Sequence, residues 1–232
     1  MANVIKLRKG LDVNLKGKAA KEEFQVKSSA VYALMPDDFT GVKPKVVVKE
    51  NDVVKVGDCL FVDKNHPEIK FVSPVSGRVT MVERGERRKV MSVRVESAGE
   101  QQYVDFGKKN VGQMTASQVK DSLLESGLFG FFKQRPFDVT ASPSDMPKAI
   151  FVSAFNSMPL AADFEYVLQG READFQTGLD ALSKMAKTYL GVSAEQKSVA
   201  LTAAKNVEVN IFDGPAPAGN VGVQINHLCP VN

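Results

Sequence analysis

The sequence is poor in residues that bind metals and redox clusters. Its 232 residues include two cysteines, Cys59 and Cys229, and two histidines, His66 and His227. The cysteines are far apart and no CxxC pair occurs, so neither a zinc site nor an iron–sulfur cluster can be built from them. Because Cys59 lies inside an apolar run, we expect two reduced thiols in a cytosolic protein, and no metal site.

Neither histidine points to catalysis. His66 lies in a turn, and His227 alternates with three apolar residues of the segment 221–228. This period of two predicts a strand in which His227 shares a face with the apolar row, where a half-buried histidine is more usual than a catalytic one. No Ser/His/Asp set is apparent. We therefore expect no catalytic residue in this chain.

Long apolar runs and phosphate-binding loops are also absent. No apolar run reaches the roughly 18–20 residues of a membrane-spanning helix, so we expect any membrane role to depend on docking to a partner. The loops GxGxxG and GxxxxGK[ST] do not occur. Near Gly127 and Gly130, Phe131 and Phe132 fill the space that backbone amides would need to approach a phosphate. These features count against binding of NADH or a flavin.

Neither sign of charge predominates. The chain has 30 basic and 27 acidic residues and a net charge of +3. The densest basic cluster, at 84–89, is typical of an exposed turn, so we expect no nucleic-acid partner. The hydrophobic content of 44% is sufficient for the core of one large or two medium domains.

Residues 41–105 have the pattern of a small β domain, after an irregular N-terminal arm at 1–40 with one apolar strand near 29–35. Short apolar runs alternate with tight polar turns. The predicted strands are 45–49, 59–63, 69–72, 78–82 and 90–96. The stretch 43–77, which closes on the sequence SPVSG, resembles a biotinyl/lipoyl-like barrel-sandwich.

Lys64 raises the question of a cofactor carrier, because such barrels carry biotin or lipoate on a lysine at the tip of a hairpin. Lipoyl domains usually have Asp-Lys-Ala with a Pro-x-x-Gly turn close behind. Here His66 and Pro67 follow the lysine, and Pro74 comes later than that pattern places it. The Met-Lys-Met of biotin carriers is absent. We expect an unmodified surface lysine, and a lipoyl or biotin carrier is the alternative.

Residues 110–232 change to the pattern of a Rossmann-like α/β domain. A helix begins at the capping box of Thr115 and Gln118 and ends at Gly127. Two more helices are predicted from 156 to 169 and from 175 to Gly191, the second with one apolar face. The predicted strands are 148–153, 198–202, 207–212 and 221–228. Because the last predicted element is a strand with no closing helix, we expect a chain truncated at its C-terminus.

The best candidate for a ligand or partner surface is the phenylalanine-rich segment that follows the first helix. Its residues are Phe129, Phe131, Phe132, Arg135 and Phe137. Flat aromatic rings suit a quinone, and an arginine can polarise a carbonyl oxygen. Aromatic residues at a helix end are, however, more often part of a core. No catalytic, cofactor-binding or metal-binding residue is predicted beside this candidate surface.

Short motifs occur in order along the whole chain. They lie at 5–12 (IKLRKGLD), 41–79, 85–90 (GERRKV), 127–129 (GLF), 135–137 (RPF), 149–152 (AIFV), 159–163 (PLAAD) and 214–219 (GPAPAG). Together they resemble the N-terminal portion of the NqrA family, whose members belong to the Na⁺-translocating NADH:quinone oxidoreductases. The family turn reads Gly-Pro-His-Pro-Ala-Gly, whereas the third residue here is Ala216, so no role of that histidine carries over.

The resemblance implies a peripheral subunit, without a transmembrane segment, on the cytoplasmic face of the bacterial inner membrane. Its partners would be the other subunits of a respiratory complex, membrane subunits included, and quinone is a further candidate ligand. That complex oxidises NADH, reduces a quinone such as ubiquinone and exports Na⁺. It uses flavins and iron–sulfur centres, none of which we expect this chain to bind, and the isolated chain is expected not to be catalytic.

A second alternative comes from the Rnf C protein, to which the NqrA family is similar. Rnf C has a glycine-rich loop after a comparable helix and cysteine-rich motifs that bind iron–sulfur clusters. This sequence has neither. An NADH- or flavin-binding dehydrogenase subunit of the Rnf C type is therefore kept only as an alternative.

Overall fold

The computed structural model describes residues 3–13, 15–17 and 19–231, which form two compact units. An α/β unit comprises 1–24, 110–119 and 147–232, and a β-rich unit comprises 25–109 and 120–146. The first part of the N-terminal arm thus packs with the α/β unit. Residues 120–146, which the sequence pattern placed in the α/β domain, pack with the β-rich unit.

The elements alternate between short strands and short helices. The strands are β1 (Asn3–Lys6), β2 (Val31–Leu34), β3 (Pro44–Val46), β4 (Val53–Val54), β5 (Cys59–Asp63), β6 (Lys70–Val72), β7 (Gly77–Arg84), β8 (Val90–Ser97), β9 (Lys133–Gln134), β10 (Val139–Thr140), β11 (Ile150–Ser153), β12 (Thr188–Ser193) and β13 (Glu208–Asp213). The helices are α1 (Ala116–Glu125), α2 (Phe164–Val167), α3 (Glu172–Met185), α4 (Val199–Thr202) and α5 (Val221–Leu228).

The β-rich unit is a barrel-sandwich, as predicted. A four-stranded antiparallel sheet has the order β2-β8-β7-β4, and a three-stranded antiparallel sheet has the order β3-β5-β6. Leu60, Phe61, Ile69, Val79 and Val93 are almost fully buried between them. The five predicted strands of this domain are all present, and β4 is an additional short one.

Two aspartates close the polar turns of this unit. The Asp52 carboxylate accepts a hydrogen bond from the Lys49 amide at 2.7 Å, and the Asp58 carboxylate accepts one from the Lys55 amide at 2.6 Å. Such side-chain-to-backbone bonds stabilise a turn locally. The spacing of lysine and aspartate in the sequence therefore specifies where the chain reverses.

The α/β unit contains a four-stranded sheet in the order β1-β13-β12-β11, with every pair parallel. One face packs α2, α3 and α4 over a core that includes Leu179, Leu190, Val192 and Leu201. Residues alternate between faces along a strand, so Gly191 lies on the opposite face, where it packs against Gln224 of α5. Helices cover both faces, as in a Rossmann-like domain.

The first helix follows the prediction closely. The Thr115 amide donates to Gln118 Oε1 at 2.9 Å, and the Gln118 amide donates to Thr115 Oγ1 at 3.3 Å. This reciprocal pair is the predicted capping box. Gly127, with a φ of 76°, follows the end of α1.

Several predictions for the second half are wrong. Gly191 does not end a helix, because α3 ends at Met185 and Gly191 lies inside the buried strand β12. The predicted strand 198–202 is helical over α4. The predicted helix 156–169 is reduced to α2, because the Asp163 carboxylate caps the amides of Glu165 and Tyr166 and so begins the helix later.

The segment 221–228 is a helix, not a strand. The Asn220 side chain accepts a hydrogen bond from the Gly222 amide at 2.8 Å and caps α5. His227 is consequently exposed rather than half-buried, and its Nδ1 lies 2.9 Å from the Val223 carbonyl oxygen. The period-two pattern of apolar residues gave the wrong prediction here.

Candidate functional site

The structure divides the predicted aromatic surface into buried and exposed residues. Phe129 is only 4% exposed and belongs to the core, and Phe132 and Arg135 are half-buried. Phe131 and Phe137 are 67% and 76% exposed. The side chains available to a ligand or partner are therefore those of Phe131 and Phe137, with Arg135 between them in sequence.

Phe131 is supported from beneath by the aromatic core of the β-rich unit. Its ring centroid lies 5.7 Å from that of Phe39, which lies 4.4 Å from that of Phe71. Gly130 permits this packing, because a Cβ at that position would lie 2.8 Å from Phe71 Cε1. Phe131 is thus an exposed ring on a rigid base rather than a solvated loop residue.

Phe137 lies in the turn of the two-stranded ribbon formed by β9 and β10. Arg135 Nη2 lies 3.5 Å from Asp138 Oδ1 across this turn. The ribbon is joined to the rest of its unit through the Thr140 amide, which donates to the Thr40 carbonyl at 2.8 Å. An exposed aromatic ring with a paired arginine beside it resembles the anchors of protein interfaces.

The carboxyl edge of the parallel sheet is the second region where a ligand is expected, because α/β sheets bind ligands there. Here the loops after β1, β11 and β13 pack backbone against backbone. A Cβ at Gly10 would overlap the Ala216 carbonyl oxygen, and one at Gly219 would overlap the Ser157 amide nitrogen. The residues at this edge therefore do not fit the phosphates of a dinucleotide.

Gln224 completes the closure from α5. The side chain is 1% exposed, and its Nε2 donates to Ser153 Oγ at 3.1 Å and to the Ala218 carbonyl at 3.2 Å. Its polar atoms are held by the protein itself, as buried polar groups require. This network leaves α5 engaged with its own sheet.

Ala216 contributes its backbone to this edge. Its amide donates to Asp12 Oδ1 at 2.8 Å, and its carbonyl accepts from the Leu11 amide at 3.0 Å. The residue that replaces the family histidine therefore holds the N-terminal segment in place. Asp12 and Leu11 were not predicted as partners of this turn, although the glycine spacing around 214–219 indicated a close backbone approach.

Lys64 is exposed but lies directly at the end of β5 rather than at the tip of a hairpin. Its amide donates to the Lys43 carbonyl at 2.8 Å. The buried Asp63 carboxylate accepts from the amides of Lys43 and Asn65 at 3.1 and 3.2 Å. The backbone around Lys64 is thus fixed to β3, a setting unlike the free hairpin of a carrier lysine.

The remaining titratable residues do not assemble into a reactive centre. Within the described residues, no group of three or more histidines, cysteines, aspartates or glutamates is placed to hold a metal. Burial raises the pKa of the Cys59 thiol, which keeps it protonated and unreactive. His66 lies 3.8 Å from Glu68, apart from any nucleophile.

None of the helices in the described part of the chain is long and apolar enough to cross a membrane.

The fold defines a two-domain protein in which a barrel-sandwich accompanies an α/β unit whose phosphate edge is closed. Residues 5–98 match the NqrA N-terminal barrel-sandwich hybrid domain, and residues 114–232 match the NqrA second alpha/beta domain. The chain belongs to the NqrA family. Both the predicted resemblance and the predicted fold are confirmed.

Individual relatives agree with the family assignment, and each is an NqrA-type chain of a Na(+)-translocating NADH-quinone reductase. The relative from Vibrio vulnificus strain YJ016 is 37% identical over 232 residues, which cover 99% of this chain and 52% of the relative. The relative from Yersinia pseudotuberculosis strain IP 31758 is 36% identical over 99% of this chain and 52% of its own length. That of Actinobacillus pleuropneumoniae strain L20 is 35% identical, with 98% and 52% covered. The chain spans about half the length of these curated relatives.

Proposed function

We propose that this chain acts as the NqrA component of a Na⁺-translocating NADH:quinone reductase. The observation that carries the proposal is the continuous match, over 99% of the chain, to a protein with that name. The closed carboxyl edge and the fixed Lys64 do not favour the alternatives of a dehydrogenase subunit or a cofactor carrier. Electrons would then pass through other subunits, and this chain would shape the assembly on the cytoplasmic side of the membrane.

Deletion of this chain in its natural host tests the proposal. Inverted membrane vesicles should lose NADH-driven quinone reduction and Na⁺ uptake together, and re-expression of the chain should restore both. Oxidation of NADH by an artificial acceptor should persist, since the electron carriers reside elsewhere. A purified complex that lacks this chain yet keeps full quinone reductase activity would disprove the role, and loss of the artificial reaction would point to a cofactor on this chain.

The exposed aromatic rings are the part of this chain proposed to contact quinone or a membrane subunit. Phe137→Ala and Phe131→Ala should each weaken binding of a quinone analogue or of the partner subunits by about 5- to 30-fold, because exposed aromatic anchors contribute about 1–2 kcal/mol to binding. The melting temperature should change little, since both rings are mostly exposed. Binding is measured by titration of the assembled complex and by co-purification.

Tyr103→Ala is the matched control, because Tyr103 is an aromatic residue of the same unit and is 68% exposed. It should leave both binding and melting temperature unchanged. A large fall in melting temperature with binding intact in Phe131→Ala would instead assign that ring to the core.

A further inference from the structure

The segment 8–21 concentrates positive charge. It contains five basic residues and one acidic residue, whereas the whole 232-residue chain has a net charge of +3. Arg8, Lys9 and Lys16 are exposed and take part in no ion pair within the described residues. Their charge is therefore available to a partner outside the chain.

Between these cations lie three exposed aliphatic side chains. Leu11, Val13 and Leu15 are 83%, 58% and 52% exposed. Single exposed apolar residues are common, but three within five positions of one segment form an apolar cluster. Arg8 and Lys9 precede it and Lys16 follows it, so the cluster is flanked by cations on both sides.

Both ends of the segment are attached to the α/β unit. At one end the Leu11 amide and the Asp12 carboxylate hold the backbone of Ala216. At the other end Lys21 Nζ lies 2.6 Å from Asp163 Oδ2, and this contact raises the pKa of Lys21 and lowers that of Asp163. The segment is thus a loop held at two points, which lowers the entropy lost when it binds a surface.

We propose that this loop, residues 8–16, docks onto an anionic bilayer surface. Protein interfaces are depleted in lysine and use leucine rarely as an anchor. Lipid headgroup regions, in contrast, accept aliphatic side chains while flanking lysine and arginine side chains reach the phosphates. The loop has the second chemistry.

Vesicle flotation with the 232-residue chain tests the proposal. The chain should bind vesicles of phosphatidylcholine mixed with phosphatidylglycerol, release them at high salt, and bind pure phosphatidylcholine weakly. Replacing Arg8, Lys9 and Lys16 by glutamine should weaken binding about a hundredfold, because each cation near an anionic surface contributes about fivefold. Leu11→Ser with Leu15→Ser should weaken it by about tenfold or more, through lost burial of apolar surface.

A second triple variant serves as the control for charge. Lys49→Gln, Lys55→Gln and Lys108→Gln remove the same charge from exposed positions of the β-rich unit and should leave vesicle binding within about twofold. Equal losses in both triple variants, or equal binding to neutral and anionic vesicles, would overturn the proposal. Absence of vesicle binding, combined with failure of the complex to assemble in the loop triple variant, would assign the loop to an acidic protein partner instead.

This test needs no other component of the complex. Failure of vesicle binding would therefore leave the proposed place in the reductase intact, and failure of the deletion experiment would leave the lipid site intact.

Discussion

Phe61→Ala is expected to destabilise the β-rich unit by about 3–5 kcal/mol, because truncation of a buried aromatic side chain loses its transfer free energy and leaves a cavity. Phe61 is fully buried and stacks on Phe71 with ring centroids 4.8 Å apart. It also meets the edge of Phe39 at 6.4 Å. Domains of this size are stable by only about 5–15 kcal/mol, so the loss is a large fraction of the total.

Urea unfolding followed by far-ultraviolet circular dichroism measures this effect, since the chain has no tryptophan to report by fluorescence. Val53→Ala is the control, because Val53 lies in the same unit and is 74% exposed. It should change the free energy of unfolding by less than about 0.5 kcal/mol. A loss below about 1 kcal/mol for Phe61→Ala would show that the three rings do not form the core of the unit.

The same core couples stability to the proposed partner surface. Phe39 contacts both Phe71 and the exposed Phe131, so a collapse around the Phe61 cavity should also displace Phe131. Partner binding should therefore fall in Phe61→Ala together with stability. In Phe131→Ala, binding should fall alone, which separates the two variants.

Local signals explain why the barrel was predictable. Strand β5 has the predicted bounds, 59–63, because an apolar run lies between an aspartate-closed turn and a polar hairpin. The capping box of α1 is equally local, since both partners lie within one helical turn. Where the determining contacts are a few residues apart, the pattern in the sequence is sufficient.

Tertiary contacts explain the errors in the α/β unit. Gly191 has the appearance of a helix stop, yet it is required in β12 because a Cβ there would overlap the Gln224 side chain. Strand β1 pairs with β13 through Asn3 and Asn210, partners about two hundred residues apart that no local pattern connects. Only the cap residue Asn220 was a local signal for α5, and the alternating apolar residues outweighed it.

The candidate surface shows the same division. The sequence identified the phenylalanine-rich segment, but burial separates Phe129 from Phe131 by the way a single turn packs on Phe71. Such a difference of two positions depends on Gly130, which admits the Phe71 ring. The role of the segment as a contact for quinone or a partner stays a prediction.

Gly219→Ala is expected to destabilise the α/β unit by about 2–3 kcal/mol, through the close backbone approach that closes the carboxyl edge. The new Cβ would overlap the Ser157 amide nitrogen and lie 2.9 Å from Asn156 Cα. These are backbone atoms of the loop after β11, so no side chain can rotate away. The Gly219 amide would also lose its bond to Ser157 Oγ, now 3.2 Å long.

Gly178→Ala is the matched control, because it makes the same chemical change inside α3, where a Cβ would meet nothing within 4 Å. It should stabilise the unit by about 0.5–1 kcal/mol, since alanine is the better helix former. Urea unfolding measures both variants, and limited proteolysis should show faster cleavage near 156–158 in Gly219→Ala alone. If Gly219→Ala were as stable as the parent chain, the loops would have room to separate, and the carboxyl edge could open to a ligand.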